Sequence, residues 1–209
     1  METSDFKKLV SKTINRLQEL ETPPDNLFDE LAKLILEKGL LSVNEVKFRF
    51  REIEFYLNNV KDKKSETGFD PFAHVHDDER LKKTTTGSFR PHYSGLDIAI
   101  REGDFFGGIL IRGVEKEATT EKPYQGPLVA MCVVLSEIGD LTSEIPDFFR
   151  LTFESNNESL EIKATKRIGL GTERHSGGNL DNYRNIQWRY YSYRNGKDPK
   201  GIKDIREVK

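Results

Sequence analysis

A twelve-residue run at positions 46–57, VKFRFREIEFYL, alternates with a period of two. That commits the middle of the chain to a β-strand with two different faces. Strict alternation places Val46, Phe48, Phe50, Glu52, Glu54 and Tyr56 on one face. Lys47, Arg49, Arg51, Ile53, Phe55 and Leu57 fall on the other. The first face therefore carries two carboxylates among aromatic side chains. An unpartnered buried carboxylate costs several kcal/mol, so each glutamate needs solvent, a partner or a chemical role.

Around this strand the periodicity predicts an α+β domain. Residues 4–20 carry Phe6, Leu9, Val10, Ile14, Leu17 and Leu20 at helical spacing, and Pro23 and Pro24 end that helix. A second helix is expected over 26–38, with Gly39 as its stop signal. The polar segment 58–88 reads as a long loop, with one cluster, DPFAHVHD, at 70–77. Strands are expected at 89–101 and 107–115, joined by a hairpin-like turn. A short buried helix opens at Gly126-Pro127 and ends near Gly139. Residues 149–168 read as a hairpin turning at Asn156-Asn157, and 186–194 as a last strand. The expectation is one mostly antiparallel, curved sheet flanked by helices, with residues 1–22 as a helical extension and 23–209 as the α+β domain.

Composition narrows the function classes. Cys132 is the single cysteine among 209 residues, which excludes an internal disulfide and any cysteine-based zinc cluster. The chain has no run of 18 apolar residues, and METSDFKK lacks an apolar signal core. A cytoplasmic monomer that spans no membrane is expected. The net charge of −2 is unevenly spread: residues 163–209 hold 12 Lys/Arg against 5 Asp/Glu. That basic quarter interleaves aromatic residues, from Tyr183 and Arg184 through Trp188, Arg189, Tyr190, Tyr191 and Tyr193 to Arg194. Such a stretch suits phosphates and bases, and equally a strand with a solvated basic face.

Five short elements follow one another: Glu52-Ile53-Glu54-Phe55-Tyr56, Ala73-His74, Leu110-Ile111-Arg112, Gly126-Pro127, and Arg167-Ile168-Gly169-Leu170-Gly171. In this order they resemble the alkyladenine (3-methyladenine) DNA glycosylase family, whose pattern runs E-x-E-x-Y, A-H, L-L-R, S-G-P and R-(I/V)-G-(V/L)-G. The resemblance spans roughly residues 24–195 and implies that family's fold, with double-stranded DNA as partner. It implies a monofunctional glycosylase that flips a modified base out of the duplex and hydrolyses its N-glycosidic bond without a metal or organic cofactor. Glu54 then matches the carboxylate that activates water, with Glu52 its neighbour on the same face. Arg112 matches the arginine that holds water and backbone; its competing role is an ion pair with Glu52 or Glu54. Tyr56, His74 or His76 and Tyr93 match pocket walls. Phosphate contacts fall to Arg167, Arg174, Arg184, Arg189 and Arg194.

This chain departs from the pattern in three places. The intercalating tyrosine falls near Arg90, so Arg90 or Phe89 is expected to fill the gap left by the flipped base. The asparagine that screens purines falls at Asp97, which accepts hydrogen bonds and donates none when ionised. The 17 residues between Tyr56 and His74 exceed the family's spacing. A substrate other than 3-methyladenine is implied, such as a hypermodified base carrying amino or hydroxyl donors. Two other readings compete: a nucleic-acid-binding module of the same fold without catalysis, and a metal-dependent hydrolase built on the His74/His76 pair.

Overall fold

The computed structural model describes residues 3–20, 22–59, 70, 72–73, 84–117, 119, 122–139, 149–154, 160–170, 180–193, 198, 202 and 204–209. Helices α1 (Thr3–Gln18) and α2 (Asp29–Lys38) lead into β1 (Gly39–Val43) and the long β2 (Val46–Asn59). Then come β3 (Phe89–His92), β4 (Gly95–Glu102), β5 (Phe105–Lys116), β6 (Tyr124–Gln125) and α3 (Pro127–Ser136). The last elements are β7 (Arg150–Phe153), β8 (Lys163–Thr165), α4 (Leu180–Asn185), β9 (Arg189–Tyr191) and β10 (Arg206–Glu207).

The strands form one open, curved antiparallel sheet in the order β10-β8-β9-β2-β5-β4-β3. β1 joins the first half of β2 to β7, and β6 adds to β5. The α+β class with a mostly antiparallel sheet is therefore as expected. β7 pairs with β1, and β8 with β9 and β10, so 149–168 is not a hairpin. Leu151 and Phe153 explain the separation: they are buried, and Phe153 stacks on Phe6 of α1. The expected strand 89–101 is itself a hairpin, β3–β4, with Tyr93-Ser94 at its turn. Gly95 enters β4 at φ +149°, and a Cβ there would lie 2.8 Å from Leu110.

β2 changes partners half-way. Its first half lies beside β1 and its second beside β9, with β5 on the other side throughout. Where the switch occurs the register slips on both strands, around Glu52 and Gly113. A bulge of this kind puts two consecutive residues on one face. Phe48 and Phe50 before it, and Ile53, Phe55 and Leu57 after it, all belong to the one apolar core beneath the helices. Phe28, at the N-cap of α2, stacks on Phe55 at 4.3 Å and meets the edge of Trp188 at 4.9 Å. The single face expected for Phe48, Phe50, Glu52, Glu54 and Tyr56 is thus corrected. The bulge turns the phenylalanines into the core and the glutamates away from it.

α1 packs Phe6, Val10, Ile14 and Leu17 into that same core. The helix expected as an extension is part of the body. α3, expected to be buried, hides only Ala130 and Val134 and leaves Leu128 and Val129 about half exposed. Among the described residues no helix is long and apolar enough to cross a membrane.

Candidate active site

Opposite the core, the sheet carries a hollow. The pairing registers set Glu54, Leu110, Asp97 and Arg90 in one row across β2, β5, β4 and β3. The next row is Tyr56, Gly108 and Ala99; the one beyond it contains Asn58 and Phe106. Two small residues in the middle row leave a gap between Leu110 and Phe106. A cavity of about 240 Å³ occupies it, floored by Gly107 and Gly108 and walled by Tyr56, Arg112, Asp97 and Arg90. Phe72 and Ala73 close one side, and Ile168, Gly169 and Leu170 another.

Glu54 has no solvent exposure. Its Oε1 accepts a short hydrogen bond from the Tyr56 hydroxyl, and Arg112 Nη1 stands 3.0 Å from its Oε2. Burial pushes its pKa above the ordinary carboxyl value, and the Arg112 charge and the Tyr56 hydroxyl offset part of that rise. Burial and the neighbouring Glu54 charge push the Tyr56 phenol well up, so it stays a donor. Burial opposes the charge of Arg112, but Glu54 and Glu52 outweigh it and hold the guanidinium above its usual value. Glu54 does not itself face the cavity; Tyr56 and Arg112, which hold it, do.

Glu52 is engaged differently. It accepts from Arg112 Nε at 2.9 Å, Arg189 Nε at 2.7 Å and the Tyr193 hydroxyl at 2.8 Å. With three donors around it, this carboxylate is structural and fixes the guanidinium that meets Glu54. Arg112 therefore pairs with both glutamates.

Two expected phosphate contacts are corrected by burial. Arg167 is fully buried and meets Asp70 through Nη1 at 2.5 Å and Nη2 at 3.2 Å. It also donates to the Tyr183 carbonyl and lies over the Tyr56 ring at 5.0 Å. Arg189 is spent on Glu52. Neither reaches the protein surface. Arg184 does: it is exposed and stands over the Phe72 ring at 5.6 Å. His74, His76, Arg174 and Arg194 lie outside the described residues. Among the described residues no group of three or more His, Cys, Asp and Glu is placed to hold a metal ion.

Asp97 lines the cavity as expected, but its oxygens face Arg90 Nη2 at 3.1 Å and His92 Nε2 at 3.0 Å. One oxygen of the acceptor expected for a ligand's donor already accepts from Arg90, and the His92 ring stands beside the other. Arg90 also lies over the Phe106 ring at 4.8 Å, which makes it a cavity wall and removes it from the role of plug. Phe89 packs against Phe149 at 5.5 Å and is removed likewise. Tyr93, expected in the pocket wall, is 67% exposed at the β3–β4 turn, beside the cavity-lining His92 and Ser94.

No family model matches the chain. It is similar to the uncharacterized protein L759 of Acanthamoeba polyphaga mimivirus, with 27% identity over 206 residues, covering 81% of this chain and 88% of that protein. The likeness runs over most of both chains and carries no statement of activity.

Several site residues escape the motif reading. His92 and Phe106 belong to no motif, and only the pairing of three strands brings them to the cavity. Asp70 stands in the DPFAHVHD cluster, but its partner lies 97 positions away. The signal in its case is the turn-type sequence Asp-Pro-Phe, and Asp70 Oδ1 accepts from the Phe72 N–H at 3.0 Å.

Proposed function

We propose that the chain is a monofunctional DNA glycosylase that takes a modified base into this cavity and hydrolyses its N-glycosidic bond. The observation that carries the reading is a fully buried carboxyl, Glu54, gripped by two cavity-wall residues, Arg112 and Tyr56. Departure of a base builds positive charge on the sugar, and a carboxylate beneath it stabilises that charge. Water supplies the new bond to the anomeric carbon as the bond to the base nitrogen breaks. The base nitrogen keeps the bonding pair, and the Tyr56 hydroxyl, at the cavity wall, takes the water proton as it gives its own to Glu54 Oε1. Arg112 orients Glu54, and Tyr56 supplies a donor on one side and a stacking ring on the other. Exposed apolar residues beside the cavity, Tyr93, Leu128, Val129 and Ile168, suit contact with an opened duplex. Tyr93 is the side chain we assign to the gap left by the base.

The test is incubation of duplexes bearing single modified bases, with alkali-labile sites as readout. Base release by the wild type, abolished in Glu54→Gln with duplex affinity kept, is expected. Borohydride should trap no protein–DNA adduct, because a glutamate-activated water forms no Schiff base.

One observation favours a second reading, a binding module without catalysis: Glu54 is one layer behind the cavity wall. Under that reading no duplex yields abasic sites, and Glu54→Gln leaves binding unchanged.

A further inference from the structure

Two polar groups that border Phe106 have no hydrogen-bond partner among the described residues, one on the cavity-wall residue Arg90 and one on Asn58, which does not itself line the cavity. The first is Arg90 Nη1. Arg90 lines the cavity, is fixed by Asp97 through Nη2 and by the Phe106 face, and leaves Nη1 buried and unpaired. The second is the whole amide of Asn58: its nitrogen and its oxygen are both buried and unpaired, and the residue is 1% exposed. Asn58 is the cross-strand neighbour of Phe106, on the face of β2 opposite core-facing Leu57. Such neighbours stand close enough for their side chains to touch.

Buried unpaired donors and acceptors are expensive and uncommon in folded proteins. Here an apolar residue the size of asparagine would remove the cost at position 58. The sequence instead places an amide there, and a spare guanidinium N–H on the same ring. Both arginine charges at the cavity are already matched, Arg90 by Asp97 and Arg112 by Glu54. What remains for a ligand is a donor from Arg90 and a donor–acceptor pair from Asn58, with the Phe106 ring between them.

We infer that the Phe106 end of the cavity is a recognition subsite for an oxygen-bearing polar substituent on the bound base, read by Arg90 Nη1 and the Asn58 amide. This rests on the cavity being a base pocket. A carbonyl, carboxyl or hydroxyl oxygen accepts from Arg90. A substituent that displaces the Phe106 ring edge gives the Asn58 amide its missing partners. A methyl group in the same place offers neither.

The test uses matched duplexes that differ only in that substituent: 5-methylcytosine against 5-carboxycytosine, and N6-methyladenine against N6-(carbamoylmethyl)adenine. Affinity is read by fluorescence anisotropy. The wild type should prefer the oxygen-bearing duplex of at least one pair by about tenfold, the scale of one hydrogen bond to a charged or buried partner. Arg90→Met and Asn58→Leu should each erase most of that preference, read within each variant as the ratio of its affinities for the two duplexes of a pair. Asn58→Leu should also match or exceed the wild type in thermal stability, which an asparagine kept for the fold would not allow. No preference in either pair, a preference that survives both substitutions, or a destabilised Asn58→Leu overturns the subsite. Selective binding with no base release would leave the subsite standing and remove the glycosylase reading; base release without selectivity would do the reverse.

Discussion

At the residue scale, Glu54 holds a proton more readily in the folded chain than in the unfolded one, and the proposed chemistry turns on it. Burial is the larger cause, and the Arg112 charge only partly offsets it. The sign follows from linkage: a raised carboxyl pKa contributes stability below the unfolded value, and that contribution is lost as pH rises through the folded value. Glu54→Gln carries no such loss. Its urea midpoint relative to the wild type should therefore climb as pH rises above the ordinary carboxyl value of 4.5. A constant difference across that range would contradict the assignment. The same substitution should lower base release by at least about 100-fold, and the wild-type rate should rise with pH through an inflection above the ordinary carboxyl value of 4.5. The Asp70–Arg167 pair makes a different prediction, since both side chains are fully buried. Asp70→Ala strands a buried guanidinium and should cost about 3–5 kcal/mol, a fall of roughly 10 °C in Tm for a chain of this size. An unchanged melting curve would refute it. This pair also explains why the basic quarter misleads. Sequence records the sign of a charge but not its partner, and the partners of Arg167 and Arg189 lie 97 and 137 positions away.

At the scale of elements, alternation identifies β2 correctly and misassigns its faces. A period of two survives only while the ladder is regular, and the bulge at Glu52 shifts it by one. The shift removes the apparent conflict of carboxylates on an apolar face: Phe50 and Glu52 face opposite sides. Nothing in VKFRFREIEFYL marks the slip, because β2 bulges where it exchanges β1 for β9, and both neighbours are remote or N-terminal to it. The order of the motifs, by contrast, is readable, and Arg112, Tyr56 and Asp97 do share the cavity wall. Its floor turns on two adjacent glycines of unlike tolerance. A Cβ on Gly107 would lie 2.1 Å from the Tyr56 carbonyl oxygen, a backbone atom that cannot yield without unpairing the strands. On Gly108 it would meet the Asp97 carboxylate at 2.7 Å, a side chain that can turn. Gly107→Ala should therefore lose about 3 kcal/mol or more, or fail to fold. Gly108→Ala should keep its cooperative transition and lose duplex selectivity, as measured by the matched-base affinities. Equal behaviour of the two variants would show that the floor is not built as described.

Over the whole molecule, the cavity depends on a core that lies on the far side of the sheet from it. α2 buries its apolar stripe against β2 and α1 packs on α2, β4 and β7 in the same core, so the positions of Glu54 and Tyr56 are set by Ile53, Phe55 and Leu57 alternating with them. This makes the N-terminal helix inseparable from the site, although it lies outside the motif region. Phe6, Val10, Ile14 and Leu17 are each at most 1% exposed. At about 1.5–3 kcal/mol per buried apolar side chain, their loss costs roughly 6–12 kcal/mol. That is comparable to the entire net stability of a domain, about 5–15 kcal/mol. Removal of residues 1–20 should then abolish the cooperative urea transition and the near-ultraviolet circular dichroism signal while leaving much of the far-ultraviolet signal. Leu9→Ala is the control: Leu9 is only partly buried against the same core, so that variant should keep the transition. A truncated chain that unfolds cooperatively, with the same denaturant dependence as the full chain less α1, would make α1 an appendage and detach the geometry of Glu54 from it.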